Sequence, residues 1–166
     1  MDTLTPKNIS SSEINGHIYK VFPNDLNAHG TAFGGMIMAK CDRLSLVVAE
    51  RHSGHVCVTA SVDSIHFMAP AKENDTLIFK VSINRAWNSS MEIGVKVEAE
   101  NSYTGTSKHI LSAYFTFVAL DENNKVTRVP PVLLETSTHE RRYQQANVRR
   151  AARLRTIEDL KEFETP

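Results

Sequence analysis

From Gly34 the chain, GGMIMAKCDRLSLVVAERHSG, is apolar except for charges that recur at helical spacing. At about 100° per residue, Lys40, Arg43, Glu50 and Arg51 fall in one solvated sector. The spacing predicts a helix from Gly34 to about Ser53, stopped by Gly54. One acid breaks the pattern. Asp42 lies outside the charged sector, in a row with Met38, Ser45, Leu46 and Ala49.

The pattern after Gly54 changes to period two. In Val56–Phe67 the even positions Val56, Val58, Ala60 and Val62 are apolar, and the odd ones are small or polar. Leu77, Phe79, Val81 and Ile83 alternate with polar residues in Thr76–Trp87, as do Met91, Ile93, Val95 and Val97 in Met91–Ala99. In Lys108–Leu120, Leu111, Ala113, Phe115 and Phe117 share a face, and the opposite face (Ile110, Tyr114, Val118) is also fairly apolar. Such alternation belongs to a sheet with one buried face. The short polar links between these stretches fit hairpins, so the sheet is expected to be antiparallel. The long apolar helix is then the element that the sheet covers. The strand 108–120, apolar on both faces, is the candidate subunit contact. Upstream, Glu13–Phe22 reads as a short strand with an irregularity at Gly16, and Pro23–Gly35 as a loop rich in Asn, Gly and Asp.

Beyond Pro130-Pro131, Thr138–Phe163 is helix-prone, strongly basic through Arg155 and acidic afterwards, without a strong apolar stripe. Two readings stand: a solvated tail helix lying on a partner subunit, or an anion site for a phosphate-bearing ligand built on arginine's forked donors. The expected layout is a loose, polar segment 1–12, one α+β domain over 13–130, and a helical extension over 131–166.

Composition narrows the class. A formal net charge of +0 removes any global argument for nucleic acid or an anionic membrane. The N-terminus lacks an apolar signal core, and no run approaches the roughly 18 apolar residues of a membrane span. Both cysteines, Cys41 and Cys57, sit in apolar stretches and read as buried thiols of a reducing compartment, so a cytoplasmic location is expected. No histidine pair has metal-ligand spacing with supporting acids, and neither a metal nor a separate cofactor is expected.

The chemistry centres on Asp42. A carboxylate on the greasy side of a core helix costs free energy unless it is paired or put to use, so it is either satisfied structurally or functional. The residues around it carry a resemblance. The segment PNDLNAHGTAFGG, followed by Asp42 seven residues after Gly35, is similar to the active-site segment of the hotdog acyl-CoA thioesterases. ERHSGHVCVTASVDSIHFMAP resembles that family's helix end and first long strand, and NSSMEIGVKVEAE and YFTFVALDENNKVTRVPP extend the likeness, which covers roughly residues 13–155. Four segments in register make it specific. Arg43 departs from relatives that carry an acidic or uncharged residue there.

The resemblance implies a hotdog fold, acyl-CoA as substrate, and dimers with an active site between two subunits, assembled as a trimer of dimers. Asn27 of one chain and Asp42 of the other would then meet. Gly35 N–H, assisted by Gly34, would hold the oxyanion, because the first N–H groups of a helix lack intrahelical partners and sit at its positive end. The pair Gly34-Gly35 equally serves a tight turn. Asp42 would be general base or nucleophile, and Asn27 would orient water or thioester. Thr59 would hold water or Asp42, or be structural. Ser89 and Ser90 would touch the pantetheine or phosphate of coenzyme A. His29 reads as a surface or structural loop residue. The rivals are a hotdog dehydratase, on the strength of His66-Phe67-x-x-Pro70; a non-catalytic acyl-CoA sensor; and an RNA-binding protein using Arg141–Arg155. In the dehydratases the histidine precedes the central helix, the pair Asn27 and Asp42 argues for chemistry, and interleaved aromatics beyond Tyr143 are missing.

Overall fold

In the computed structural model, which describes residues 4–163, the helix α1 spans Gly34–Ser53 and ends on Gly54 in the left-handed region (φ 74°), where a side chain would be strained. Around it the strands are β1 (Lys7–Asn8), β2 (Ile14–Lys20), β3 (Val56–Val62), β4 (His66–Phe67), β5 (Asp75–Ala86), β6 (Ser90–Asn101), β7 (Ser107–Leu120) and β8 (Val132–Leu133). The second helix, α2, runs from Ser137 to Lys161, with the Thr136 side chain accepting a hydrogen bond from the His139 N–H.

The main sheet has the order β2-β5-β6-β7-β3, with β4 also pairing to β7, and all its pairings are antiparallel. Alternation in β5, β6 and β7 works as expected: Leu77, Phe79, Val81, Ile83, Met91, Ile93, Val95, Val97, Leu111, Ala113, Phe115 and Phe117 are all buried. They meet Ile37, Cys41, Val48 and Ala49 of α1 in one core. Gly16, at φ 106°, marks the irregularity in β2, where the register with β5 shifts between Asn15 and His17. Both cysteines are free and buried, and burial pushes the Cys41 thiol up to about 12.

Four expectations need correction. Residues 7–12 are not loose: β1 pairs in parallel with β8, Ile9 and Ser12 are buried, and Lys7 Nζ donates to the Arg51 and His52 carbonyls at the end of α1. The even, apolar positions of β3 do not all face the core. Val56 and Val58 pair with Leu120 and Val118 and point outward, whereas Cys57 and Thr59 face α1. Small side chains there let the helix approach the strand, and a bulge between Thr59 and Ser61 restores Val62 to the helix side opposite Phe115. Third, β7 is an interior strand, so neither of its edges is open to a partner. On its second face Arg149 of α2 is stacked 3.6 Å from the Tyr114 ring, and Ile110 is the extra residue of a bulge opposite Val97–Glu98 that leaves it buried beside Leu111. The sheet ends on β2 at one side and on β3 at the other. Fourth, α2 through Arg153 lies on its own sheet.

What holds α2 is charge and not an apolar stripe. Glu92 of β6 is fully buried on the outer face of the sheet. It accepts from Arg149 at 2.6 and 3.1 Å and from Asn84 Nδ2 at 2.9 Å. Arg153 donates to Asp63 at 2.6 Å, Arg85 stacks under Tyr143, and Ala146 is the one buried residue of the helix.

On the same face, Lys80 and Lys96 each bond Glu98 at 2.7 Å and hold its carboxyl at about 2, below its usual 4.5. A depressed carboxyl stabilises the fold above its unfolded value, and that contribution disappears as pH falls through the folded value. Glu98→Gln is therefore expected to lower the urea midpoint at pH 6. The gap to the parent should narrow below pH 4.5 and close near pH 2 when both are titrated at one protein concentration.

Candidate active site

The loop before α1 is tied down by its own polar side chains. Asp25 accepts from Tyr19 Oη–H at 2.8 Å and from the Phe22 N–H at 2.9 Å, and its carbonyl accepts from the Phe33 N–H at 2.7 Å. That bond to Asp25 raises the Tyr19 phenol above its ordinary value, and Lys40 Nζ sits 3.5 Å from the centre of the same ring. The sequence reading missed this buttress; its only trace there is an Asp three residues after Phe22, the spacing of a side-chain-capped turn.

Asn27 closes the next turn. Its Oδ1 accepts from the His29 N–H (2.9 Å) and the Thr31 N–H (3.3 Å), and its Nδ2 donates to Thr31 Oγ1 at 3.0 Å. An amide nitrogen carries two protons, so one donor is left over. Asn27, Thr31, Gly34, Ile37, Phe67 and Ile110 line an open cleft of about 390 Å³. His29 is exposed and contributes its backbone.

At the head of α1, Phe33 has no capping side chain. Its carbonyl accepts from Met36 and Ile37, and among the described residues the N–H groups of Gly34 and Gly35 meet no backbone acceptor. A Cβ on Gly35 would stand 2.6 Å from the Phe33 ring, and one on Gly34 3.2 Å from the Phe67 ring. Glycine lets both rings close over the helix head, and they wall a pair of free donors at the positive end of a 20-residue helix. Phe33 carried no signal of its own in the sequence, and Phe67 appeared there only within His66-Phe67-x-x-Pro70.

Asp42 is half-buried and accepts from Thr59 Oγ1–H at 2.7 Å. The row with Met38 is the shoulder of the helix; its buried stripe runs through Ile37, Cys41, Ser45, Val48 and His52. The carboxylate is thus not in the greasy core but turned toward β3, the edge of the sheet. Arg43 is exposed. Along the axis Asp42 stands roughly 10 Å from Gly35, at about 1.5 Å per residue. Ser89 and Ser90 lie at the β5–β6 hairpin, where Ser90 pairs with Val118 on the far side of β7 from Val58. There the Ser89 carbonyl accepts from the Ala119 N–H at 3.0 Å, at the opposite end of β7 from the Phe67–Leu111 pairing. One chain therefore brings Thr59 to Asp42 and Asn27 to Gly34, and keeps the two groups apart.

A sheet wrapped on one long helix, with free N–H groups at the helix head and an acid two turns along, defines a hotdog-fold protein. The family model described as the thioesterase superfamily matches residues 29–106, and the chain belongs to that family. An uncharacterized acyl-CoA thioester hydrolase of Bacillus subtilis, YkhA, is 38% identical over 79% of this chain and 78% of its own. Mouse acyl-coenzyme A thioesterase 11 is 35% identical over 81% of this chain, which spans 23% of that longer protein. The crystal structure of an apo-hexameric acyl-CoA thioesterase superposes with a TM-score of 0.89 at 30% identity, over 93% of this chain and 98% of that one. The acyl-CoA hydrolase of Staphylococcus aureus, solved with butyryl coenzyme A, coenzyme A and coenzyme A disulfide, gives 0.84 at 32% identity over 96% and 99%. Alanine variants of the latter have been solved at an aspartate, an asparagine and a threonine, each numbered one above Asp42, Asn27 and Thr59.

Proposed function

We propose that the chain hydrolyses acyl-CoA to a free fatty acid and coenzyme A at sites each built from two copies. The carrying observation is the separation of Gly35 from Asp42 on one helix, with Asp42 turned to the unpaired edge strand β3. A second copy pairing its β3 to this edge brings its Asp42 toward the first copy's Gly34-Gly35 donors. The hexameric thioesterase relatives agree with self-association, and a trimer of such dimers is the assembly we favour.

In that site the thioester carbonyl points at the Gly35 N–H, assisted by Gly34, so the oxyanion that develops meets fixed donors at a positive helix end. The spare Nδ2 proton of Asn27 orients the thioester or the water. Asp42 either takes the proton from an attacking water or attacks the carbonyl itself. In both routes the C–S bond breaks, the thiolate leaves and is protonated, and one water is consumed. Thr59 fixes the carboxylate. Ser89 and Ser90 remain candidates for the distal part of coenzyme A, contributed by whichever copy places its hairpin there. The reaction as written uses no nucleic acid, metal or separate cofactor. No helix among the described residues is long and apolar enough to cross a membrane.

Sharing has its own test. Asn27→Ala and Asp42→Ala subunits, each inactive alone, are mixed and reassociated. Statistical mixing leaves half the dimers with one intact site, so about one quarter of the parent thiol release should return. No recovery in oligomers verified as mixed refutes the shared site.

A further inference from the structure

The sheet-facing side of α2 does not stop where the sheet stops. Taking about 100° per residue from the buried Ala146, the residues Arg149, Arg150, Arg153, Ile157 and Leu160 all fall within about 60° of it. The first three engage the chain's own sheet: Arg149 binds Glu92, Arg150 stacks on Trp87, and Arg153 binds Asp63 just after β3. Asp63 belongs to the edge, so the helix beyond Arg153 passes out over it. There the same row turns apolar and is uncovered, with Ile157 46% and Leu160 58% exposed, flanked by Leu154 at 47%. From Arg153 to Lys161 is roughly 12 Å of helix at about 1.5 Å per residue, more than two strand spacings of about 4.8 Å.

We propose that this overhang of α2 clamps the outer sheet face of a second copy across the β3 edge. The inference rests on the β3 pairing proposed above and adds to it a second contact. A strand paired antiparallel with its own copy about a twofold axis sets the Asp63 end of one beside the Val56 end of the other. The outward valines at that end, Val56 (63% exposed) and Val58 (44%), are those that the chain's own α2 leaves bare, because it crosses at Asp63. Ile157 and Leu160 of one copy thus reach Val56 and Val58 of the other, and the exchange is reciprocal. The hexameric relative that superposes at 30% identity favours the same occupant, a second copy of the chain.

Val56→Cys and Leu160→Cys chains, made separately and mixed, test this under mild oxidation on non-reducing gels, with the mass followed by light scattering. The native thiols are buried, so background is low. A cross-linked dimer is expected in the mixture, several-fold above either variant alone. An oligomer that yields no such excess overturns the clamp while leaving β3 pairing intact; a monomer overturns both. In the full chain, Ile157→Glu with Leu160→Glu should speed subunit exchange at least tenfold without loss of helix by circular dichroism. Unchanged exchange removes the overhang from the interface, and its apolar row then belongs to a different partner.

Discussion

Asp42→Asn is expected to lower kcat for acyl-CoA hydrolysis by about 10²- to 10⁴-fold, the range for loss of a positioned general base or nucleophile. The amide keeps size and the acceptor for Thr59 Oγ1–H, which donates to the carboxylate at 2.7 Å, so the local structure survives. What disappears is the negative charge and the ability to take a proton. The residue is half-buried on the shoulder of α1, outside the packed stripe, so the unfolding midpoint should move little. Turnover followed with a thiol-detecting reagent, beside a urea titration, separates the two. A variant with near-parent kcat takes Asp42 out of the mechanism, and a binding-only protein would show no thiol release even in the parent.

The largest loss of stability is expected from Arg149→Met. It strips a fully buried carboxylate, Glu92, of both guanidinium bonds and leaves it Asn84 alone. Breaking one side of such a pair costs about 3–5 kcal/mol, most of it the penalty of an unpaired charge in a dry place. The double change Glu92→Leu with Arg149→Met removes the charge as well and should recover most of the loss, because a buried ion pair replaced by apolar groups of similar volume is close to neutral. Urea unfolding of the four proteins at one concentration closes the cycle. If the single variant is as stable as the parent, α2 is held by its aromatic contacts, Arg85 with Tyr143 and Arg150 with Trp87.

The central helix and the three long strands β5, β6 and β7 were legible because each buries one face against a continuous core, and burial imposes period 3.6 or 2 on the residues. The Gly54 stop and the Gly16 irregularity were legible for a related reason: glycine marks backbone that other residues adopt only with strain. Legibility failed at the sheet edge and in the N-terminal segment. Val56 and Val58 look like inward residues because valine in a strand usually is one, and no period says which face a bare edge strand presents. It failed again for residues 7–12, whose short polar stretch hides one anchoring apolar residue, Ile9, and a lysine that caps a helix. Of the site, Thr59, Asn27 and the glycine pair lie where the local pattern placed them, whereas Asp42 sits on the shoulder of α1 and not on its buried stripe. The Phe33 and Phe67 rings and the Tyr19–Asp25 brace act through space, between residues that no spacing rule connects.

The parallel β1–β8 pairing reaches across nearly the whole polypeptide, and Ser10 binds Glu135 at a separation of 125 residues. During synthesis the first dozen residues therefore wait at the ribosome without their native neighbours until the last strand has emerged. The end of α1, which Lys7 caps through the Arg51 and His52 carbonyls, lacks that anchored cap for the same interval. Nascent chains that end before Val132 should accordingly be the form that chaperones and proteases meet.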